Sequence, residues 1–235
     1  MIEKLAHSLV VLFDLDGTLI DSSEDVRHAL NVVLPRYGGQ LIAAEDIYAF
    51  IGEGVERTVL RALDVTNKKL SQEKLSSIIQ QYLRQYQSNP IHYTKLYPDV
   101  ITVLELLQNK NILMGICTNK PSLITGLILQ KLNLLRFFKA IVAGGDVPYL
   151  KPDGRHIDAT IERLDVAKTH TNVVMVGDSQ FDVQAARNAH ISVVGVRYGY
   201  GGAQIDQSKP DVSIARFIEL PDVLTSLFPS IRILL

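Results

Sequence analysis

The chain has no tryptophan, one cysteine and three methionines in 235 residues. A lone Cys117 cannot form an intramolecular disulfide, which suits a reducing compartment and leads us to expect a cytoplasmic protein. No uncharged apolar run reaches about 18 residues, so neither a membrane span nor a membrane partner is expected. The first apolar run turns acidic at Asp14, unlike a secretory signal. Neither sign of charge dominates: 24 Lys and Arg face 25 Asp and Glu, for a formal net charge of −1. That balance offers no basic stripe for a nucleic-acid partner. What remains is ordinary globular composition, 47% hydrophobic and 21% charged, long enough for a full core.

Short apolar, β-branched runs recur at 10–15, 112–118, 140–143, 173–176 and 193–196, separated by helical patterns. Continuous apolar strands between helices predict a parallel sheet covered on both faces, a doubly wound, Rossmann-like α/β core. The gap between the first two strands far exceeds one crossover helix. Its pattern is helical. Asp21-Ser22-Ser23-Glu24 has capping-box spacing, and Leu75, Ile78, Ile79, Tyr82, Leu83 and Tyr86 repeat with helical period. Ile51-Gly52-Glu53-Gly54 breaks that pattern. We therefore expect an all-helical cap over residues 20–92, inserted into a core formed by 1–19 and 93–235.

Ligands of open α/β sheets sit at the carboxyl ends of the strands. The first strand exits into Asp14-Leu15-Asp16-Gly17-Thr18, the second into Thr118-Asn119-Lys120, and the strand at 173–176 into Gly177-Asp178-Ser179 with Asp182 following. Lys151-Pro152 lies in a loop just ahead. Buried carboxylates are costly unless paired or metal-bound. Asp14, Asp16 and Asp178 form a hard oxygen set suited to Mg²⁺, and Lys151 adds a second positive charge for a phosphoryl dianion. A carboxylate such as Asp14 can act as nucleophile, with Asp16 two residues on as acid and then base.

The ordered set "DLDGT", "TN", "KP" and "GDSxxD" resembles the haloacid dehalogenase superfamily of phosphatases across residues 9–200. "IGEGVERTVLRAL", "CTNKP", "GGDV", "VGDSQFDVQAARNA" and "GVRYGYG" narrow the likeness to bacterial phosphoglycolate phosphatases. The resemblance implies a Mg²⁺-dependent phosphomonoesterase acting through an aspartyl-phosphate on a small phosphorylated metabolite, with 2-phosphoglycolate foremost, as a monomer or homodimer. It makes Asp14 the nucleophile and Asp16 the acid/base, with the Asp16 backbone carbonyl and Asp178 completing the metal ligands. Thr118, Asn119 and Lys151, with Gly17, would hold the phosphoryl oxygens. Ser179 and Asp182 would stand behind them, Asp182 supporting Lys151 or a metal-bound water. The loop Gly52-Glu53-Gly54 and Arg57 would approach the leaving group from the cap. Alternatives are another small-metabolite or pyrophosphate phosphatase, a sugar-phosphate mutase, and a non-catalytic binding module on the same fold.

Other residues read blandly. Cys117 sits inside a strand as a small core hydrophobe. Ser179 reads as a helix N-cap, with no Gly-x-Ser-x-Gly elbow around it. Gly52-Glu53-Gly54 lacks the third glycine of a dinucleotide fingerprint. The histidines at 7, 28, 92, 156, 170 and 190 show no metal-ligand spacing and read as surface or capping residues.

Overall fold

The computed structural model describes residues 9–64, 71–166 and 172–231. Strand β1 (Leu9–Phe13) lies at the centre of a six-stranded sheet, wholly buried. Its neighbours are β4 (Leu113–Pro121) and β6 (Asn172–Gly177). Beyond them come β5 (Ala140–Gly144) on one side and β7 (Ser192–Val196), then β8 (Val212–Ile214), on the other. Every pairing in this sheet is parallel. Phe13 pairs level with Ile116 on β4 and with Val176 on β6. That register brings three strand exits to one edge, with Asp14 and Asp178 beside Thr118.

Side-chain alternation divides the sheet between two helix layers. Leu9, Val11 and Phe13 pack with α4 (Val100–Asn109), α5 (Ser122–Lys131) and α8 (Leu220–Leu227). Val10, Leu12 and Cys117 pack with α6 (Gly154–Arg163) and α7 (Gln180–Asn188). The expected doubly wound core is present. Its sixth strand, β8, was not anticipated, because a three-residue strand directly after Pro210 and Asp211 carries little periodic signal.

Between β1 and β4 the chain forms a helical cap. It leaves through β2 (Ile20–Asp21) and returns through β3 (Lys95–Leu96), which pair antiparallel, Ile20 against Leu96. The cap helices are α1 (Ser23–Val33), α2 (Val55–Asp64) and α3 (Gln72–Ser88). Helix α1 buries Val26, Ala29, Leu30 and Val33. On α3, Leu75, Ile78, Tyr82 and Tyr86 form the inner face, as their spacing predicted. These side chains join the same apolar cluster as the outer face of β1.

Two local expectations need correction. The capping box at α1 does not form: Ser22 is the N-cap residue without a side-chain cap bond, and its hydroxyl donates to Asp16 at 2.6 Å instead. His156 is no surface residue. It is fully buried on α6, whereas His28, His92 and His190 are exposed, and His7 and His170 lie outside the described residues. The apolar C-terminal stretch was expected on the core; Ile231 is buried there, and 232–235 lie outside the described residues.

Candidate active site

Asp14 follows β1 directly, and its backbone N–H still donates to Val176 at 3.0 Å, extending the ladder one step. The side chain is buried. Lys151 Nζ lies 3.0 Å from Asp14 Oδ1, yet no hydrogen bond of acceptable angle reaches that oxygen among the described residues. Burial pushes the Asp14 carboxyl up to about 6, against the pull of Lys151 and with the help of Asp182. Burial also drives Asp178 well above the carboxylate range, with Asp182 and then Asp14 adding repulsion. Such mutual strain among acids is what a bound cation relieves.

Asp14, Asp178 and Asp182 place one carboxylate oxygen each within 4.8 Å of one another. The three are not equivalent. Asp182 Oδ1 accepts from Lys151 Nζ at 2.6 Å, while its Oδ2 accepts from the Ser179 backbone at 3.0 Å and hydroxyl at 2.6 Å. Ser179 in return N-caps α7, so the pair forms a capping box, and both Asp182 oxygens are already engaged by protein donors. The less engaged donors for a divalent ion are Asp14, whose Oδ1 accepts no well-angled hydrogen bond, and Asp178. A hard, oxygen-only set of this kind fits Mg²⁺.

Asp178 is itself held in place. Its Oδ2 accepts from Tyr200 N at 2.7 Å and Gly201 N at 3.2 Å. Gly17 turns the chain at φ +80, and a Cβ there would sit 2.3 Å from Asp178 Oδ2. Only glycine lets the first loop pass so close to the carboxylate.

Lys151 is buried and donates to the Cys117 carbonyl at 2.7 Å. Burial opposes its charge, but Asp14 and then Asp182 outweigh it and raise the ammonium above its usual range. Cys117 is pushed up to about 12 by burial, so its thiol stays protonated.

Thr118 and Asn119 are both buried beside Asp14. The Asn119 side-chain amide is already engaged within the protein. Its nitrogen donates to the carbonyls of Gly52 and Lys151, both at 2.9 Å, and its oxygen accepts from Lys151 N at 2.8 Å. It fastens the Lys151 loop to the cap loop.

The cap loop supplies Gly52 (φ +114) and Gly54 (φ +89) over the site. Glu53 pairs with Arg61. Arg57, expected near the leaving group, is exposed on α2 and lines neither neighbouring cleft. One helical turn is about four residues, so Val55 and Thr58 face the site and Arg57 faces away.

Sequence reasoning missed Lys120. It is buried, and its Nζ lies 2.9 and 3.0 Å from the two Asp16 oxygens, 2.7 Å from Tyr86 Oη and 3.3 Å from Ser22 Oγ. The only signal was its place directly after Thr118-Asn119 at a strand exit, and alternation does not fix its direction because the register shifts between Cys117 and Pro121. Tyr86 reaches it from α3, where helical period alone marked it as core. Asp16 is thus turned toward the cap and away from Asp178.

Around Asp14 and Asp16 lies a cavity of about 40 Å³, closed on the cap side by Val26, Ile51, Gly54, Val55, Tyr82 and Tyr86. A wider cleft of about 560 Å³ opens past Asp16 and Asp178, between Tyr48 and Arg61 of the cap and Tyr200 of the core. No helix among the described residues is long and apolar enough to cross a membrane.

A family model described as haloacid dehalogenase-like hydrolase matches residues 11–196. A phosphoglycolate phosphatase of Agrobacterium fabrum is 33% identical over 219 residues, 92% of either chain. One of Neisseria meningitidis is 32% identical over 233 residues, 96% of either chain. The crystal structure of a predicted phosphoglycolate phosphatase from Haemophilus somnus superposes with a TM-score of 0.83 at 28% identity, covering 94% of this chain and 99% of that one.

Proposed function

Since the chain belongs to the haloacid dehalogenase-like hydrolases and is a phosphoric monoester hydrolase, we propose that it converts 2-phosphoglycolate to glycolate and phosphate. In this reading 20–92 is the cap, 1–19 and 93–235 are the core, and the reaction runs through a phosphorylated Asp14. One observation carries it: a buried aspartate at a strand exit whose Oδ1 lies 3.0 Å from a buried lysine and accepts no well-angled hydrogen bond, facing a cavity shared with Asp16 and Thr118.

Asp14 attacks phosphorus, the ester P–O bond breaks, and the departing alkoxide takes its proton from Asp16. Water then attacks the aspartyl-phosphate, giving its proton to Asp16 as the bond to Asp14 breaks. Lys151 offsets repulsion between the Asp14 carboxylate and the phosphoryl oxygens, and Thr118 donates to one of them. Gly17 gives the phosphoryl group room against the first loop. Mg²⁺, held by Asp14, Asp178 and the Asp16 carbonyl, would supply further charge neutralisation when bound. Ser179 acts at one remove, through Asp182 and Lys151. Asn119 serves by holding Lys151 and Gly52 rather than by touching phosphate.

The test is a panel of phosphorylated metabolites ranked by kcat/KM, with 2-phosphoglycolate expected first. A preference for hexose phosphates would discard that substrate. Asp14→Asn should keep its fold and fall below about 1% of wild-type turnover, the amide being no nucleophile.

A further inference from the structure

The proposed substrate carries two anionic ends, and the phosphoryl end is provided for by Asp14's neighbours Lys151 and Thr118. Its carboxylate would enter the cap side of the 40 Å³ cavity, among Val26, Ile51, Val55 and Tyr82. An unpaired carboxylate is expensive in such surroundings. Among the described residues lining that cavity, Lys120 is the one cationic side chain. Arg61 faces the wider cleft and is engaged by Glu53. Arg57 faces solvent.

We propose that Lys120, assisted by the Tyr86 hydroxyl, is the receptor for a carboxylate on the leaving group and so sets the substrate class; this rests on the reading of the protein as a phosphoglycolate phosphatase. Thr118 lies beside Asp14 at the strand exit, and Lys120 reaches past it to Asp16 and to Tyr86 of the cap, on the leaving-group side.

The ammonium is already occupied, and that occupancy is informative. Its three protons are shared among Asp16, Tyr86 and Ser22. A substrate carboxylate therefore binds by exchange: it takes the place of the Asp16 carboxylate on Lys120. One anion replaces another on the buried cation, so Lys120 stays paired. Asp16 is released, takes a proton from solvent and turns to the ester oxygen to donate it. A neutral leaving group offers nothing to exchange, and Asp16 stays on the lysine. Carboxylate-bearing substrates should accordingly gain in kcat as well as in KM.

The experiment compares 2-phosphoglycolate with ethyl phosphate, a neutral ester of the same length, and includes 3-phosphoglycerate as a second carboxylate ester. Full-length wild type, Lys120→Met and Tyr86→Phe are assayed with Mg²⁺, and circular dichroism checks each fold. Wild type should prefer 2-phosphoglycolate over ethyl phosphate in both kcat and kcat/KM. Lys120→Met should cut that preference at least tenfold, and Tyr86→Phe about threefold. The second variant retains the ring and decides the matter if the first does not fold. Equal losses on both esters would mean Lys120 only positions Asp16, and an undiminished preference would likewise overturn the proposal. A wild type indifferent to the carboxylate would overturn the glycolate reading together with this one. A wild type favouring 3-phosphoglycerate, with the preference lost in Lys120→Met, would discard glycolate and support the subsite.

Discussion

His156 shows what one buried side chain does to the whole protein's pH response. Burial, and behind it the Lys151 ammonium, push its imidazole down to about 4 from an ordinary 6.5. The unfolded chain therefore takes up a proton that the folded chain refuses. Stability from this residue is intact above about pH 6.5 and declines as pH falls toward 4, by at most roughly 3 kcal/mol. His156→Leu should flatten that decline. Urea midpoints between pH 4.5 and 7 in wild type and variant would measure it, and parallel curves would refute it. Single residues were also where the sequence misled most. Asp14, Asp16 and Asp178 stood out because strand exits end on acids that a core cannot hold alone. Lys120 did not, since a lysine after a strand reads as a solvated end until the fold shows what encloses it. Arg57 failed for the complementary reason: a charge near the right loop says nothing about which side of a helix it occupies.

Secondary structure was more legible. The apolar runs located five of the six strands in the main sheet, and the period of Leu75 to Tyr86 located α3, because burial on one face imposes those spacings. What spacing could not reveal is competition for a side chain. Asp21 and Glu24 had the spacing of a capping box, yet Asp21 accepts from Ser23 and Glu24 is drawn to Arg27, while the observed N-cap Ser22 turns its hydroxyl to Asp16. Asp25, three residues beyond Ser22, repeats the lesson by reaching the far end of the cap. It is buried on α1, and its carboxylate accepts from the backbone of Tyr93 and Thr94 and from the Thr94 hydroxyl at 2.6 Å. It ties α1 to the segment that becomes β3. Asp25→Ala would strand those donors, and we expect about 3 kcal/mol of lost stability by urea denaturation. Asp25→Asn, which keeps an acceptor, should lose less. A loss within 0.5 kcal/mol, about that of an ordinary surface substitution, would show the tie to be dispensable.

For the molecule as a whole, if the acidic edge of the sheet holds Mg²⁺ as proposed, stability should depend on the ion supplied. Asp14 and Asp178 repel each other in the absence of a cation. Mg²⁺ binding to the folded chain at about 100 times its dissociation constant adds roughly 2.7 kcal/mol. For a chain of this size that corresponds to a rise of about 5–10 °C in Tm. Chelation should reverse the rise and abolish turnover, and Asp178→Asn should suppress the rise. A Tm indifferent to Mg²⁺ in the wild type would count against the site.

The paired strands β2 and β3 bear on this molecule's mechanics. Both chain crossings between cap and core run through one narrow ribbon, Ile20 beside Leu96 and Asp21 beside Lys95. Pulling the cap straight outward would load two covalent backbones side by side, which is a stiff direction. Twisting the ribbon costs far less, since two-stranded ribbons tolerate a wide range of twist. The cap is thus a lever on a single torsional pivot. Tyr86 rides on the cap while Lys120 and Asp16 stay with the core, so a small rotation at Ile20 becomes a larger displacement of the Tyr86 hydroxyl relative to Lys120.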